Sequence, residues 1–150
     1  MSGFKEYEQY DALGLADLVR RKEVRPEELL EAAIERVEAR NPAINAVTMK
    51  LYDHGRKAIA DGLPDGRLRG VPYLMKDLTS PIAGVKMTRG SKFFADTPPS
   101  AADSEHVRRL KRAGLVVNLA QVASPGIEQP QLASMDPRRV RHRKPRRHRA

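Results

Sequence analysis

Cysteine and tryptophan are both absent from this 150-residue chain, and aromatic residues make up only 5% of it. Without cysteine there is no disulfide framework, no thiolate metal site and no thiol nucleophile. A small stapled secreted domain is thereby excluded, and the cytoplasm is the expected setting. No run of about 18 apolar residues occurs, so no membrane span is expected. The opening MSGFKEYEQYDALGL carries charges and no apolar core, so it does not read as a secretory leader. The four histidines, His54, His106, His142 and His148, lack metal-ligand spacing, and the carboxylates form no evident pair. Neither a metal nor a cofactor is expected.

The charge that is present is unevenly placed. The formal net charge is +9, but residues 134–150 hold eight Lys/Arg against the single Asp136. The preceding residues therefore carry only about +2. The basicity belongs to the end of the chain, and the body needs its own reading.

In the body, residues 12–22 place Leu15, Leu18 and Val19 on one helical face. Pro26, followed by Glu27 and Glu28, suits the first turn of a second helix, where a missing N–H costs nothing and negative charge meets the helix dipole. Leu29, Leu30, Ala33, Ile34 and Val37 continue that helix as an apolar stripe, and Asn41-Pro42 is expected to stop it. Residues 46–50 read as a short strand, residues 54–61 as a helix, and residues 62–66 as a loop. The apolar run Gly70-Val-Pro-Tyr-Leu-Met75 reads as a strand that emerges into the polar pair Lys76-Asp77. Residues 79–100, rich in Gly, Pro, Ser and Thr, read as loop. Asp103 is expected to cap a helix carrying Val107 and Leu110 and ending at Gly114, before a strand at Leu115-Val116-Val117. Strand, crossover helix and strand are the grammar of a parallel sheet.

Lys76 is the residue whose position suggests chemistry. It follows an apolar run and precedes a Gly/Ser/Thr-rich loop. A lysine drawn into such a pocket loses its proton more readily and can act as a general base. By composition alone, the position more often suits a solvated lysine at a strand end. Asp77 reads as a structural partner of this segment rather than a catalyst.

The stretch from Gly70 to Asp77, then Gly84, Thr88 and Gly90-Ser91, then Asp103-Ser104 with Val107, Leu110 and Ala113-Gly114, resembles the amidase signature family. The Pro-Glu-Glu-Leu helix start and the Arg40-Asn-Pro-Ala-Ile-Asn-Ala46 stretch resemble it too, so the likeness spans about residues 13–117. It implies an α/β fold, specifically the N-terminal portion of an amidase-signature-type fold: helices followed by the first strands of a mixed sheet, incomplete here. It also implies hydrolysis of small-molecule, non-peptide amides without a cofactor. In the family a lysine acts through a bridging serine in a cis peptide on a serine nucleophile, and Lys76 matches that lysine. Both serines lie in a Gly/Ser-rich stretch well downstream. Ser80, Ser91, Ser100, Ser104, Ser124 and Ser134 are isolated and match neither.

After Val117 the grammar changes. Residues 118–150 hold four Pro, no aromatic residue and no helical or strand periodicity, a composition that predicts a disordered basic tail outside the family pattern. The genetic code offers an origin. Read one nucleotide later, codons for Gln121 to Ile127 can encode Lys-Ser-x-x-Pro-Glu, and those for Val140 to Arg146 can encode Phe-Gly-Thr-Ala-Asn-Pro. Family members carry stretches of both kinds at about this separation. The tail therefore reads as out-of-frame sequence, and the chain as a truncated amidase without activity of its own. The alternative is a module that binds nucleic acid or an acidic partner weakly and without sequence preference, through the tail's cations.

Overall fold

A computed structural model of the chain describes residues 4–119. The expectations of disorder and of nucleic-acid binding for the tail fall almost wholly outside those residues. After a 3-10 turn at Lys5–Gln9, the chain forms α1 (Ala12–Arg20), α2 (Pro26–Ile44), α3 (Tyr52–Ala60) and β1 (Pro72–Leu74). A loop with one 3-10 turn at Lys92–Phe94 leads to α4 (Glu105–Arg112) and β2 (Val116–Leu119). The two strands pair in parallel, with Pro72 opposite Val116 and Tyr73 opposite Val117. The expected strand–helix–strand crossover is therefore present, and β2 runs two residues past Val117.

Three apolar clusters hold these elements together. Leu15, Ala16 and Leu18 of α1 meet Leu29 of α2, Val71 and Leu115. Met75, Ile82, Val85, Val107 and Val117 form a second cluster around the strand ends. Leu30, Ala33 and Ile34 of α2 form the third, against Tyr52 and Ile59 of α3. The stripe read from the sequence of α2 is thus the buried stripe, and Leu29 and Leu30 are among the most buried side chains.

Local signals were overridden in three places. The helix α2 does not stop at Asn41-Pro42 but runs to Ile44 and ends at Asn45, whose φ of 46° closes the last turn. Pro42 costs the helix the one bond its N–H would give the Glu38 carbonyl, but only Ala43 and Ile44 follow it in the helix. Asn41 acts instead as a clasp: its side-chain amide donates to the Val47 carbonyl (2.9 Å) and accepts from the Val47 N–H (2.7 Å). That clasp also explains why residues 46–50 form no strand. Val47 is a single bridge residue, because its main-chain groups are already bonded to a side chain. Finally, Ser104 rather than Asp103 caps α4, its hydroxyl accepting from the Val107 N–H at 3.3 Å. Gly114 does follow the helix as expected, and the Leu115 N–H reaches back to the Leu110 carbonyl at 3.2 Å.

Candidate active site

The strand β1 delivers Lys76 to the carboxyl end of the parallel pair. Beyond Leu74 the chain keeps a strand-like alternation: Met75 and Asp77 are buried, while Leu74, Lys76 and Leu78 are exposed. Up to Lys76 that alternation follows from the pleat of an extended backbone, and from Asp77 the chain turns. Lys76 is therefore exposed in the described structure rather than drawn into a pocket, because its neighbours on either side take the inward places.

Asp77 is the buried charged residue at this point, only 7% exposed. Its Oδ2 accepts from both the Thr88 N–H (3.0 Å) and the Thr88 hydroxyl. Oδ1 is buried and has no partner among the described residues. The Thr88 clamp closes the segment between residues 77 and 88 into a loop and fixes the turn that carries Lys76. A backbone bond from the Leu78 N–H to the Lys76 carbonyl (2.9 Å) tightens the same turn. Hydrogen bonds to a charged group contribute about 1.5–3 kcal/mol. Thr88→Val is accordingly expected to lower stability by that amount in urea denaturation, and Thr88→Ser to stay near the parent. A Thr88→Val chain as stable as the parent would show that the clamp does not hold the loop.

None of Ser80, Ser91, Ser100 or Ser104 is hydrogen-bonded to Lys76 in the described residues. The Ser104 hydroxyl is occupied by its cap, and the Ser91 hydroxyl accepts from the Phe93 N–H at 3.3 Å. A serine nucleophile requires a base within hydrogen-bond reach, and no such pair is formed among the described residues.

A second polar cluster lies away from Lys76 and was missed by sequence reasoning. His54 and Lys57 of α3 face Lys111 of α4 across a cleft of about 360 Å³, floored by Leu115 and Val117. Asp103 binds the Lys111 ammonium at 2.6 Å and the Ala83 N–H at 2.8 Å. Burial works to raise the Asp103 carboxyl, but those two hydrogen bonds, together with the charges of Lys111 and His54, outweigh it and leave its pKa lowered. Burial lowers the pKa of His54, and the Lys111 ammonium lowers it further against the opposing pull of Asp103. No group of metal-ligating side chains occurs among the described residues. The only signal for the cluster was the His54 type itself, since its partners lie some fifty residues on.

The His54 shift has a testable sign. Its folded-state pKa lies below the unfolded value of 6.5, so the unfolded chain takes up a proton first. Stability is then expected to fall as pH drops below about 6.5. In His54→Gln the melting temperature should vary less between pH 7 and pH 5. An equal pH dependence in both chains would refute the assignment.

The amidase family profile matches residues 28–119, and the chain belongs to that family. It is 40% identical over 116 residues to the 6-aminohexanoate-cyclic-dimer hydrolase of Pseudomonas sp. (strain NK87), a match covering 77% of this chain and 23% of that protein. It is 37% identical to a glutamyl-tRNA(Gln) amidotransferase subunit of Halothermothrix orenii, covering 67% of this chain and 20% of that one. Among solved structures, a 6-aminohexanoate cyclic dimer hydrolase complexed with substrate superposes with a TM-score of 0.72 at 36% identity, over 81% of this chain and 24% of the other. A bacterial aryl acylamidase gives 0.65 at 33% identity, over 77% and 25%. The fold is thus that of a segment of amidase-signature enzymes, and the chain spans about a quarter of the length of these relatives. No helix among the described residues is long and apolar enough to cross a membrane.

Proposed function

We propose that Lys76 is the base lysine of a Ser–cis-Ser–Lys amide hydrolase site, and that this 150-residue chain does not hydrolyse amides by itself. The observation that carries the reading is the placement of Lys76 just past β1, on a turn fixed by the buried Asp77–Thr88 clamp. In parallel α/β sheets, ligands bind outside the carboxyl ends of the strands. The 6-aminohexanoate-cyclic-dimer hydrolases point to small-molecule amides as the substrate class. The inactivity rests on the residues themselves, since none of the chain's serines stands in a Gly-Gly-Ser-Ser context.

In this reading residues 1–117 are the N-terminal part of an amidase-like domain in the cytoplasm, and residues 118–150 are a non-family tail of out-of-frame origin. The coding nucleotide sequence tests the origin. Shifted by one position from about codon 118, it is expected to continue into a Gly-Gly-Ser-Ser-type stretch; an unrelated sequence there rules the idea out. The eight cations of residues 134–150 support a second activity, weak and undiscriminating nucleic-acid binding. Its affinity should collapse between low and physiological salt, equally for unrelated DNA and RNA. A hundredfold preference for one sequence would instead make the tail a base-reading module.

A further inference from the structure

The chain around Lys76 exposes apolar side chains. Leu74 and Leu78, two residues to either side of Lys76, are 42% and 46% exposed. Leu74 also forms one wall of a groove of about 560 Å³ between the N-terminal 3-10 turn, the end of α2 and β1. Ile44, 67% exposed, and Tyr10, 40% exposed, line the same groove. Exposed apolar residues scattered singly need no explanation, but Tyr10, Ile44 and Leu74 line one groove together, and grouped apolar exposure marks a contact surface. The relatives indicate what the contact is. Three quarters of each amidase chain has no counterpart in the matched stretch, which ends at residue 119. An apolar face on the matched quarter is where the remainder can pack.

We infer that the groove lined by Tyr10, Ile44 and Leu74 is the docking surface for the remaining portion of an amidase-family chain, and that it accepts this portion even as a separate polypeptide. Docking on Leu74 covers the neighbouring Lys76 and sets it against the serines the partner brings. This rests on the reading of Lys76 given above for its catalytic consequence, but not for the docking itself. The rim of the groove carries Arg36, Arg40 and Glu8, with Glu8 bonded to both arginines. The polar rim is therefore largely self-satisfied, and discrimination falls to the apolar walls of the groove.

The test is co-expression of the full 150-residue chain with a tagged polypeptide comprising the part of the Pseudomonas sp. (strain NK87) hydrolase that follows its matched stretch. The tagged partner is expected to retain the chain. Ile44→Asp and Leu74→Asp should each weaken retention tenfold or more, while Leu13→Asp, at an exposed position outside the groove, should not. Helix content by circular dichroism should be unchanged in all three, since each site is exposed. No retention, or retention indifferent to Ile44→Asp and Leu74→Asp, overturns the inference. So does a partner that stays insoluble on co-expression, because docking covers the surface that makes it insoluble. The two readings separate cleanly. Retention with hydrolysis of the cyclic dimer that Lys76→Ala abolishes supports both. Retention without any hydrolysis keeps the docking surface and removes the catalytic reading of Lys76.

Discussion

Incubated alone with 6-aminohexanoate cyclic dimer or a simple aryl amide, the purified 150-residue chain is expected to release no product above a buffer control. The reason is chemical. A serine hydroxyl is a weak nucleophile and needs an adjacent base, while a lysine without a hydroxyl to deprotonate has nothing to activate. Removing the nucleophile from a working triad costs on the order of 10⁶ in kcat. Here the Ser91 and Ser104 hydroxyls accept local backbone bonds, and no described serine bonds to Lys76. Lys76→Ala should consequently leave the rate at the buffer level. Turnover by the parent that disappears in Lys76→Ala, in a preparation free of host amidase, would overturn the expectation.

Gly114→Ala is expected to be among the most damaging single-methyl changes in the described residues. Gly114 has φ +87°, and a Cβ there would lie 2.6 Å from the Arg69 Cα and 2.9 Å from the Arg69 nitrogen. Those are backbone atoms, so no side-chain rotation relieves the overlap. The Gly114 carbonyl also accepts from the Gly70 N–H at 2.9 Å, tying the end of α4 to the entry of β1. A left-handed backbone costs a residue with a Cβ about 1–2 kcal/mol, and overpacking a further ~1–3 kcal/mol. The expected loss of about 2–5 kcal/mol is a large share of the ~5–15 kcal/mol that holds a domain folded. Gly84 supplies the control: its φ is +75°, but nothing lies within 4 Å of its added Cβ. Gly84→Ala should therefore lose only the conformational part, about 1–2 kcal/mol. Urea denaturation followed by the helix signal measures both, and equal losses would show that the contact with Arg69 is relieved by backbone movement.

What was legible in advance was whatever depended on neighbours in sequence. The period of Leu29, Leu30, Ala33 and Ile34 fixed which face of α2 is buried, because a helix brings residues three and four apart to one side whatever it packs against. The Gly70 to Met75 run and Leu115 to Val117 were readable as strands, although β1 itself covers only Pro72–Leu74, and the intervening helix made them parallel. The order of the Gly-Val-Pro, Lys-Asp and Ala-Gly stretches sufficed to place the chain in its family.

Tertiary structure decided the rest, since the deciding partners are distant along the chain. Pro42 reads locally as a helix stop, yet the Asn41 clasp on Val47 lets α2 complete its last turn and keeps residues 46–50 out of any sheet. Asp103 reads locally as a cap, yet Lys111 and the Ala83 N–H claim its carboxylate. Asp77 reads in the sequence as a structural partner of its segment, but which group it binds is decided only when Thr88, eleven residues on, folds back over it. The exposure of Lys76 follows from the same event: with Met75 and Asp77 turned inward, the pleat sends the lysine outward, onto a face that the described residues leave uncovered.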